Sequence, residues 1–277
     1  MPKDNQTSPV HPVSPPAAYI GGKRILAKTI IERINATPHT GYAEPFVGMG
    51  GVFLRRTQKP RTEVINDKNG EVANLFRILQ RHYPQFMETL KFQITSRREF
   101  QRLVASDPST LTDLERAARF LYLQRLTFGG KVTGQSFGVD KDGGGRFNVT
   151  RLGPVLEDIH ERMAGVVIEQ LDWRDFLKRW DRPGMLFYLD PPYYGNENDY
   201  GTGQFSRDDF SNMATALRGL KGSFKLSLND LPEVREIFKN FSIEAVDCTY
   251  SIAGGAGKKV REVIVSSRQR SQVALDE

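Results

Sequence analysis

Tyr42-Ala-Glu-Pro-Phe-Val47, running into Gly48-Met-Gly-Gly51 and then Val52-Phe-Leu-Arg-Arg56, decides the fold class. The first six residues read as a strand, the glycines as a tight turn and the last five as the start of a helix. Strand, glycine turn and helix together open a nucleotide-binding α/β unit. Glycines serve such a turn because the backbone must approach a ligand closely and adopt angles that a Cβ disfavours. Thr62-Glu-Val-Ile-Asn66 forms a second strand ending at Asp67, and residues 71–81 carry Val72, Leu75, Phe76 and Leu79 at helical spacing. Asp67 follows Gly48 by 19 residues, at a strand end where a carboxylate can take the hydroxyls of a ribose. The third glycine of the dinucleotide pattern is missing, which fits a ligand with a ribose but no pyrophosphate.

Met185-Leu-Phe-Tyr-Leu189 is a continuous apolar run, read as a buried strand, and Asp190-Pro191-Pro192-Tyr193 stands at its exit. Open α/β sheets place their chemistry at such strand ends. Two successive prolines fix φ and carry no N–H, so the loop is rigid and its carbonyls are free. Asp190 and a proline carbonyl can accept N–H bonds while Tyr193 stacks on a ring, a set suited to a planar, amino-bearing substrate. The same residues could equally do no more than close the strand in an Asx-Pro turn.

Further strands are read at 166–168, 223–228, 243–250 and 260–266, and Ser206 with Asp209 as a capping box for a helix reaching Leu217. Residues 1–17 hold five prolines and little that could pack, and are read as a disordered leader. Between 82 and 160 the α/β rhythm gives way to charged helical stretches and a glycine-rich segment. Seven glycines and a net charge of +3 fall within residues 125–151. A chain of 277 residues with 39% hydrophobic composition can bury one sizeable core and a smaller second one. No run approaches 18 apolar residues and no secretory signal is evident, so a cytoplasmic protein without membrane contact is expected. One cysteine, Cys248, and four scattered histidines exclude a disulfide framework and a Cys-based zinc site, and no metal is expected. The formal charge of +6 allows a polyanionic partner.

S-adenosylmethionine is a ligand with a ribose and no pyrophosphate. Tyr19-Ile-Gly-Gly-Lys23, the 43–51 loop, Asn66-Asp67, Phe147-Asn-Val149, Asp190-Pro-Pro-Tyr193, Leu226-Ser-Leu-Asn-Asp230 and Arg261-Glu-Val-Ile-Val265, in that order, resemble the Dam-like DNA adenine-N6 methyltransferases. The resemblance spans nearly all of residues 19–266. It implies a Rossmann-like α/β methyltransferase sheet with helices on both faces, formed by 18–81 and 161–277. It also implies a smaller, mainly helical DNA-recognition insert over 82–160. Tyr19, Lys23, Glu44, Pro45, Phe46, Gly48, Gly50, Asp67 and Asp190 would then hold S-adenosylmethionine, with Lys23 near its carboxylate end and Asp67 on its ribose. Asp175 and Phe176 would lie beside its adenine ring. Asp190, Pro191, Pro192 and Tyr193 would form the catalytic loop, orienting the exocyclic amine of an adenine flipped out of double-stranded DNA. The basic insert reads as the DNA-reading element: Arg125, Lys131, Lys141, Arg146 and Arg151 could contact phosphate, Gln135, Asn148 or an arginine could reach base edges, and Lys258 and Lys259 could add phosphate contacts or equally serve a hairpin connection. The expected enzyme is a monomer.

Two departures from the family stand out: Tyr19 occupies a position where many relatives carry Trp, and only 39 residues separate Arg151 from Asp190. The short segment after Arg151 predicts a short or relaxed target rather than a strict four-base reader. Cytosine-N4 methylation and methylation of a protein glutamine amide pose the same planar-nitrogen problem and stay open, as does a catalytically silent DNA-binding protein. Asp, rather than Ser or Asn, at 190 favours adenine.

Overall fold

All seven segments read as strands pair into one sheet. The computed structural model describes residues 7–138, 145–197, 201, 203, 205–250 and 258–268. In chain order the first half comprises β1 (Ser8–Pro9), α1 (Ala27–Asn35), β2 (Gly41–Glu44), β3 (Gln58–Lys59), β4 (Thr62–Asn66) and α2 (Gly70–Arg81). Four helices follow: α3 (Tyr83–Leu90), α4 (Arg97–Ala105), α5 (Asp113–Leu126) and α6 (Val149–Arg162). The rest is β5 (Val167–Glu169), α7 (Trp173–Trp180), β6 (Met185–Leu189), α8 (Asp208–Arg218), β7 (Ser223–Asn229), α9 (Pro232–Ile237), β8 (Ser242–Tyr250) and β9 (Lys258–Ser266).

The sheet order is β5-β4-β2-β6-β7-β9-β8. The first five strands are parallel, and β9 runs antiparallel to both β7 and β8. Period-two alternation sends neighbouring side chains to opposite layers. Tyr42, Ile65, Leu186, Tyr188 and Ile264 join a cluster with α1, α2 and α3 to α6, whereas Ala43, Val64, Phe187, Leu226 and Val263 join one with α7, α8 and α9. Helical spacing explains the fit of α1, whose Ala27, Ile30, Ile31 and Ile34 are its buried residues. In α2 the expected Val72, Leu75, Phe76 and Leu79 are buried, and the Asn69 side chain caps the helix by accepting the Glu71 N–H at 3.0 Å. The 82–160 stretch is mainly helical, and its helices share one apolar cluster with α1 and α2.

Two readings of the sequence are corrected. Residues 7–17 of the expected leader are packed: β1 pairs with β3, Val13 is buried, and its N–H donates to the Leu54 carbonyl at 2.8 Å. The helix expected from Val52 is only a 3-10 turn over Phe53–Arg55. Arg56 turns extended there because its side chain is drawn inwards to Glu63 and because Thr57 accepts the Val10 N–H. The Ser206–Asp209 pairing is present, with the Ser206 N–H and hydroxyl both donating to Asp209.

Glu63 on β4 sits between two buried guanidinium groups. Arg56 donates to it at 2.9 Å, and Arg162 at 2.7 and 2.8 Å. Arg56 also covers the Tyr42 ring at 3.7 Å and meets His39 Nε2 at 3.2 Å. Burial lowers the His39 pKa, so its neutral ring donates from Nδ1 to the Thr37 carbonyl and accepts from Arg56. Removing the carboxylate leaves both cations buried without it. Glu63→Ala is therefore expected to lower the unfolding free energy by about 3–5 kcal/mol. Urea denaturation measures it; a loss in the range of an exposed pair, under about 1 kcal/mol, contradicts it.

Candidate active site

From β2 the chain builds outwards to β4 and β5, then returns to the other side of β2 as β6. The loops leaving β2 and β6 therefore diverge, and a crevice opens at their carboxyl ends. A cleft of about 500 Å³ lies there, lined by Tyr19, Lys23, Glu44, Pro45, Phe46, Gly48, Asp67, Leu171, Trp173, Asp190, Pro192 and Phe205, among others. That volume suits a small-molecule ligand.

Gly48 shapes one wall. It has φ of +50°, and an added Cβ would come within 2.9 Å of the Tyr19 ring. Its N–H donates to Asp67 Oδ2 at 2.9 Å, while the Asn69 N–H donates to Oδ1 at 2.9 Å. Burial pushes the Asp67 carboxyl up to about 6, against the pull of these two N–H groups. Asp67 thus ties the glycine turn to the end of β4 as well as lining the cleft. Asn66 does the same for the far wall: its Nδ2 donates to the Pro45 and Leu171 carbonyls, and its Oδ1 accepts the Leu171 N–H. Gly50, at φ of +74°, is absent from the cleft lining and packs against Leu54. Its service is to the turn.

Glu44 and Asp190 bring two carboxyls to the same cleft. Tyr42 donates its hydroxyl to Glu44 Oε1 at 2.6 Å. Burial raises the Glu44 pKa to about 8, and the nearby Asp190 charge adds to the rise. Lys23, with its side chain 1% exposed, reaches Asp190 Oδ1 at 2.6 Å, the Tyr193 hydroxyl at 2.8 Å and Glu262 Oε2 at 3.9 Å. Lys23 is thus directed at the loop from Asp190 to Tyr193. Ser227 on β7 donates to Asp190 Oδ1 at 2.9 Å, and the Tyr188 hydroxyl lies 2.8 Å from Ser227 Oγ. Burial lifts the Asp190 carboxyl above its usual range, opposed by Lys23 and Ser227. Asn229 clamps the loop further on, accepting the Tyr194 N–H and donating to the Tyr194 carbonyl.

Not every residue named from sequence reaches the cleft. Asp175 is exposed in the first turn of α7, and Phe176 is fully buried in the core against Phe187. Leu171 and Trp173 line the cleft in their place. β5 ends at Glu169, and counting from that end would have placed the crevice at 171–173. Pro191 is buried beside the cleft rather than lining it, and Tyr193 is also outside the lining, its hydroxyl accepting from Lys23 at 2.8 Å. Ser227, Tyr188 and Glu262 were missed. A polar residue within an apolar strand was the available signal.

The basic insert contributes unevenly. Leu126 to Gly138 closes as a hairpin, with the Phe128 N–H bonded to Ser136 and the Gly138 N–H to Leu126. Arg125 is turned inwards, donating to the Pro16 and Arg146 carbonyls and lining the cleft. Asn148 caps α6 by accepting the Arg151 N–H at 3.2 Å. Lys131 and Arg151 are exposed, and Arg146 and Gln135 half-buried. Lys141 and the side chains of Lys258 and Lys259 lie outside the described residues. Among the described residues no helix is long and apolar enough to cross a membrane, and no cluster of His, Cys, Asp or Glu could hold a metal ion.

A mostly parallel sheet opens a cleft at its switch point, and the loop carrying Asp190 and Pro192 lines that cleft. The model of the D12 class N6 adenine-specific DNA methyltransferase family matches residues 19–252, and the chain belongs to that family. It methylates adenine N6 in DNA. The chain is similar to the Type II methyltransferase M1.LlaDCHI of Lactococcus lactis subsp. cremoris, 27% identical over 269 residues, covering 90% of this chain and 93% of that protein. It is also similar to the Retron Ec67 DNA adenine methylase of Escherichia coli, 24% identical over 275 residues and covering 93% of each.

The raised Glu44 pKa has a measurable consequence for stability. The folded chain keeps a proton on Glu44 up to about pH 8, whereas the unfolded chain releases it near the ordinary 4.5. Stability therefore falls as pH rises between these values, by about 1.4 kcal/mol per unit at most. Glu44→Gln removes this dependence. Its thermal midpoint, measured without ligand, is expected to gain on the parent progressively from pH 5 to pH 8; a constant difference contradicts the assignment.

Proposed function

We propose that the protein transfers methyl groups from S-adenosylmethionine to the N6 of adenines flipped out of double-stranded DNA. The observation that carries this reading is that one cleft is lined both by Gly48, Glu44 and Asp67 and by Asp190 and Pro192. The cleft fits the cofactor by its donor set. Asp67 and Glu44 are carboxylic groups for hydroxyl and amino functions, and Tyr19 and Phe46 offer apolar faces. Trp173 Nε1 is a buried donor without a partner among the described residues, available to a purine nitrogen. When bound, S-adenosylmethionine supplies a methyl group on a positively charged sulfur, electrophilic towards a nitrogen lone pair.

The chain's own part is orientation. An exocyclic aromatic amine is a poor nucleophile because its lone pair is delocalised into the ring. Hydrogen bonds from its two N–H groups to Asp190 and the Pro191 carbonyl localise that pair and aim it. Tyr193 supplies the aromatic face, its hydroxyl already tethered by Lys23. As the N–C bond forms, the methyl–sulfur bond would break with its electron pair returning to sulfur; the nitrogen then carries an extra proton, which Asp190, hydrogen-bonded to the amine in this reading, accepts and passes to solvent. In a duplex the amine is paired, so the base must leave the stack to reach the cleft.

The hairpin from Leu126 to Gly138, with exposed Lys131 and with Phe128 62% exposed, is the DNA-facing element. Arg125 is committed to holding the fold, and the exposed Asn148 uses its Oδ1 to cap α6, which leaves few side chains for base edges. This supports a short or relaxed target. Sequencing of methylated adenines on a plasmid is expected to show several related sites; methylation confined to one four-base site refutes it.

Incubation with unmethylated DNA and labelled S-adenosylmethionine, followed by nucleoside analysis, is expected to yield N6-methyladenine. Labelled N4-methylcytosine, or label absent from DNA, would overturn the reading. Asp190→Ala is expected to lower turnover at least about 100-fold, while calorimetric cofactor affinity changes far less. Near-normal turnover would mean that Asp190 does not hold the amine.

A further inference from the structure

Asp190 is anchored through one oxygen. Lys23 and Ser227 both donate to Oδ1, at 2.6 and 2.9 Å, and among the described residues no hydrogen bond reaches Oδ2. The pairing of β6 with β7 builds this contact into the sheet: Leu189 lies opposite Leu226, so the next pair in register is Asp190 and Ser227. Ser227 is fully buried, and its single proton is spent on Asp190. Tyr188 is then the donor to Ser227 Oγ at 2.8 Å. Burial lifts the Tyr188 pKa well above its ordinary 10, so that proton stays in place.

We infer that Ser227, backed by the Tyr188 hydroxyl, is a positioning residue that fixes the plane of the Asp190 carboxylate so that Oδ2 faces the reacting amine. The inference rests on the role proposed above for Asp190 and deepens it. A carboxylate bonded only to Lys23 is held at one point and can pivot about it. A second donor on the same oxygen, from the neighbouring strand, removes that freedom. The difference matters because misplacing a reacting group by about 1 Å can cost on the order of 100-fold in rate. The other groups facing Asp190 are Lys23 from the segment before α1, Glu44 from β2 and Glu262 from β9. Lys23 and Ser227 hold the carboxyl down, and burial and Glu262 push it up. Losing the Ser227 donor therefore raises the carboxyl further.

The test is steady-state methylation of unmethylated DNA across pH by Ser227→Ala, Tyr188→Phe and the double variant, with Asp190→Asn as reference. Ser227→Ala is expected to lower kcat about 30-fold, and Tyr188→Phe, which removes only the outer hydroxyl, about threefold. Cofactor and DNA affinities are expected to stay within about twofold of the parent, and the acidic limb of kcat to move to higher pH. The double variant is expected to be no slower than Ser227→Ala, because the outer hydroxyl acts only through the inner one. A Ser227→Ala kcat within about twofold of the parent, an unmoved acidic limb, or losses that multiply in the double variant would overturn the inference. Thermal unfolding is measured on each; should Ser227→Ala fail to fold, Tyr188→Phe carries the same test through its smaller loss and same shift. Normal turnover by Asp190→Asn brings down the role of Asp190 and this inference with it. An inactive Asp190→Asn beside an unaffected Ser227→Ala brings down only the inference.

Discussion

The Lys23 ammonium lies 2.6 Å from Asp190 Oδ1 and 3.9 Å from Glu262 Oε2, with its side chain 1% exposed. A cation removed from water to this degree costs several kcal/mol unless carboxylates and hydrogen bonds surround it. The segment before α1 can therefore pack only where the loop after β6 and the middle of β9 come together beneath it. Three parts of the chain far apart in sequence are held in one place by one charge. The glycine turn joins them through Tyr19, whose ring rests against Gly48.

The two layers of the sheet have different characters for the same reason. Towards α7, α8 and α9 the inward residues are apolar. Towards α1 and α2, the pairing registers put Glu63, Tyr42, Tyr188, Ser227 and Glu262 on one face across five strands. This polar row begins at Arg162 and ends beneath Lys23. Buried groups of this kind are weak sources of net stability, but each demands a particular partner. A slip of one residue in any of these strands would send its polar member into the apolar layer.

Most of the frame was legible in the sequence because it depends on local rules. Strand positions followed from continuous apolar runs, the cleft from glycines and acids at strand ends, and α2 from its helical spacing. The failures have physical causes that local rules do not contain. Val52 to Arg56 looks like a helix start, yet Arg56 is captured by Glu63 across β4, a contact that no spacing announces. Asp175-Phe176 was placed by motif, whereas the crevice is set by where β5 stops. Arg125 reads as a DNA contact from its charge alone, and the fold turns it inwards to the Pro16 carbonyl. Ser227 sits inside a strand motif and its partner Tyr188 inside an apolar run, and neither setting announces the hydrogen bond between them.

The packed residues 7–17 show how a proline-rich composition can mislead. Five prolines among the first 17 residues suggest a segment unable to form a core. Proline also narrows the conformations open to an unfolded chain, so less entropy is lost when the segment docks. Ser14, Pro15 and Ala17 line the cleft, and the Pro16 carbonyl is gripped by Arg125. The segment behaves as a stiff strap rather than a tail. Trimming the protein back to Ala18 to obtain a tidier sample would cut away part of the wall against which the methyl donor is proposed to rest.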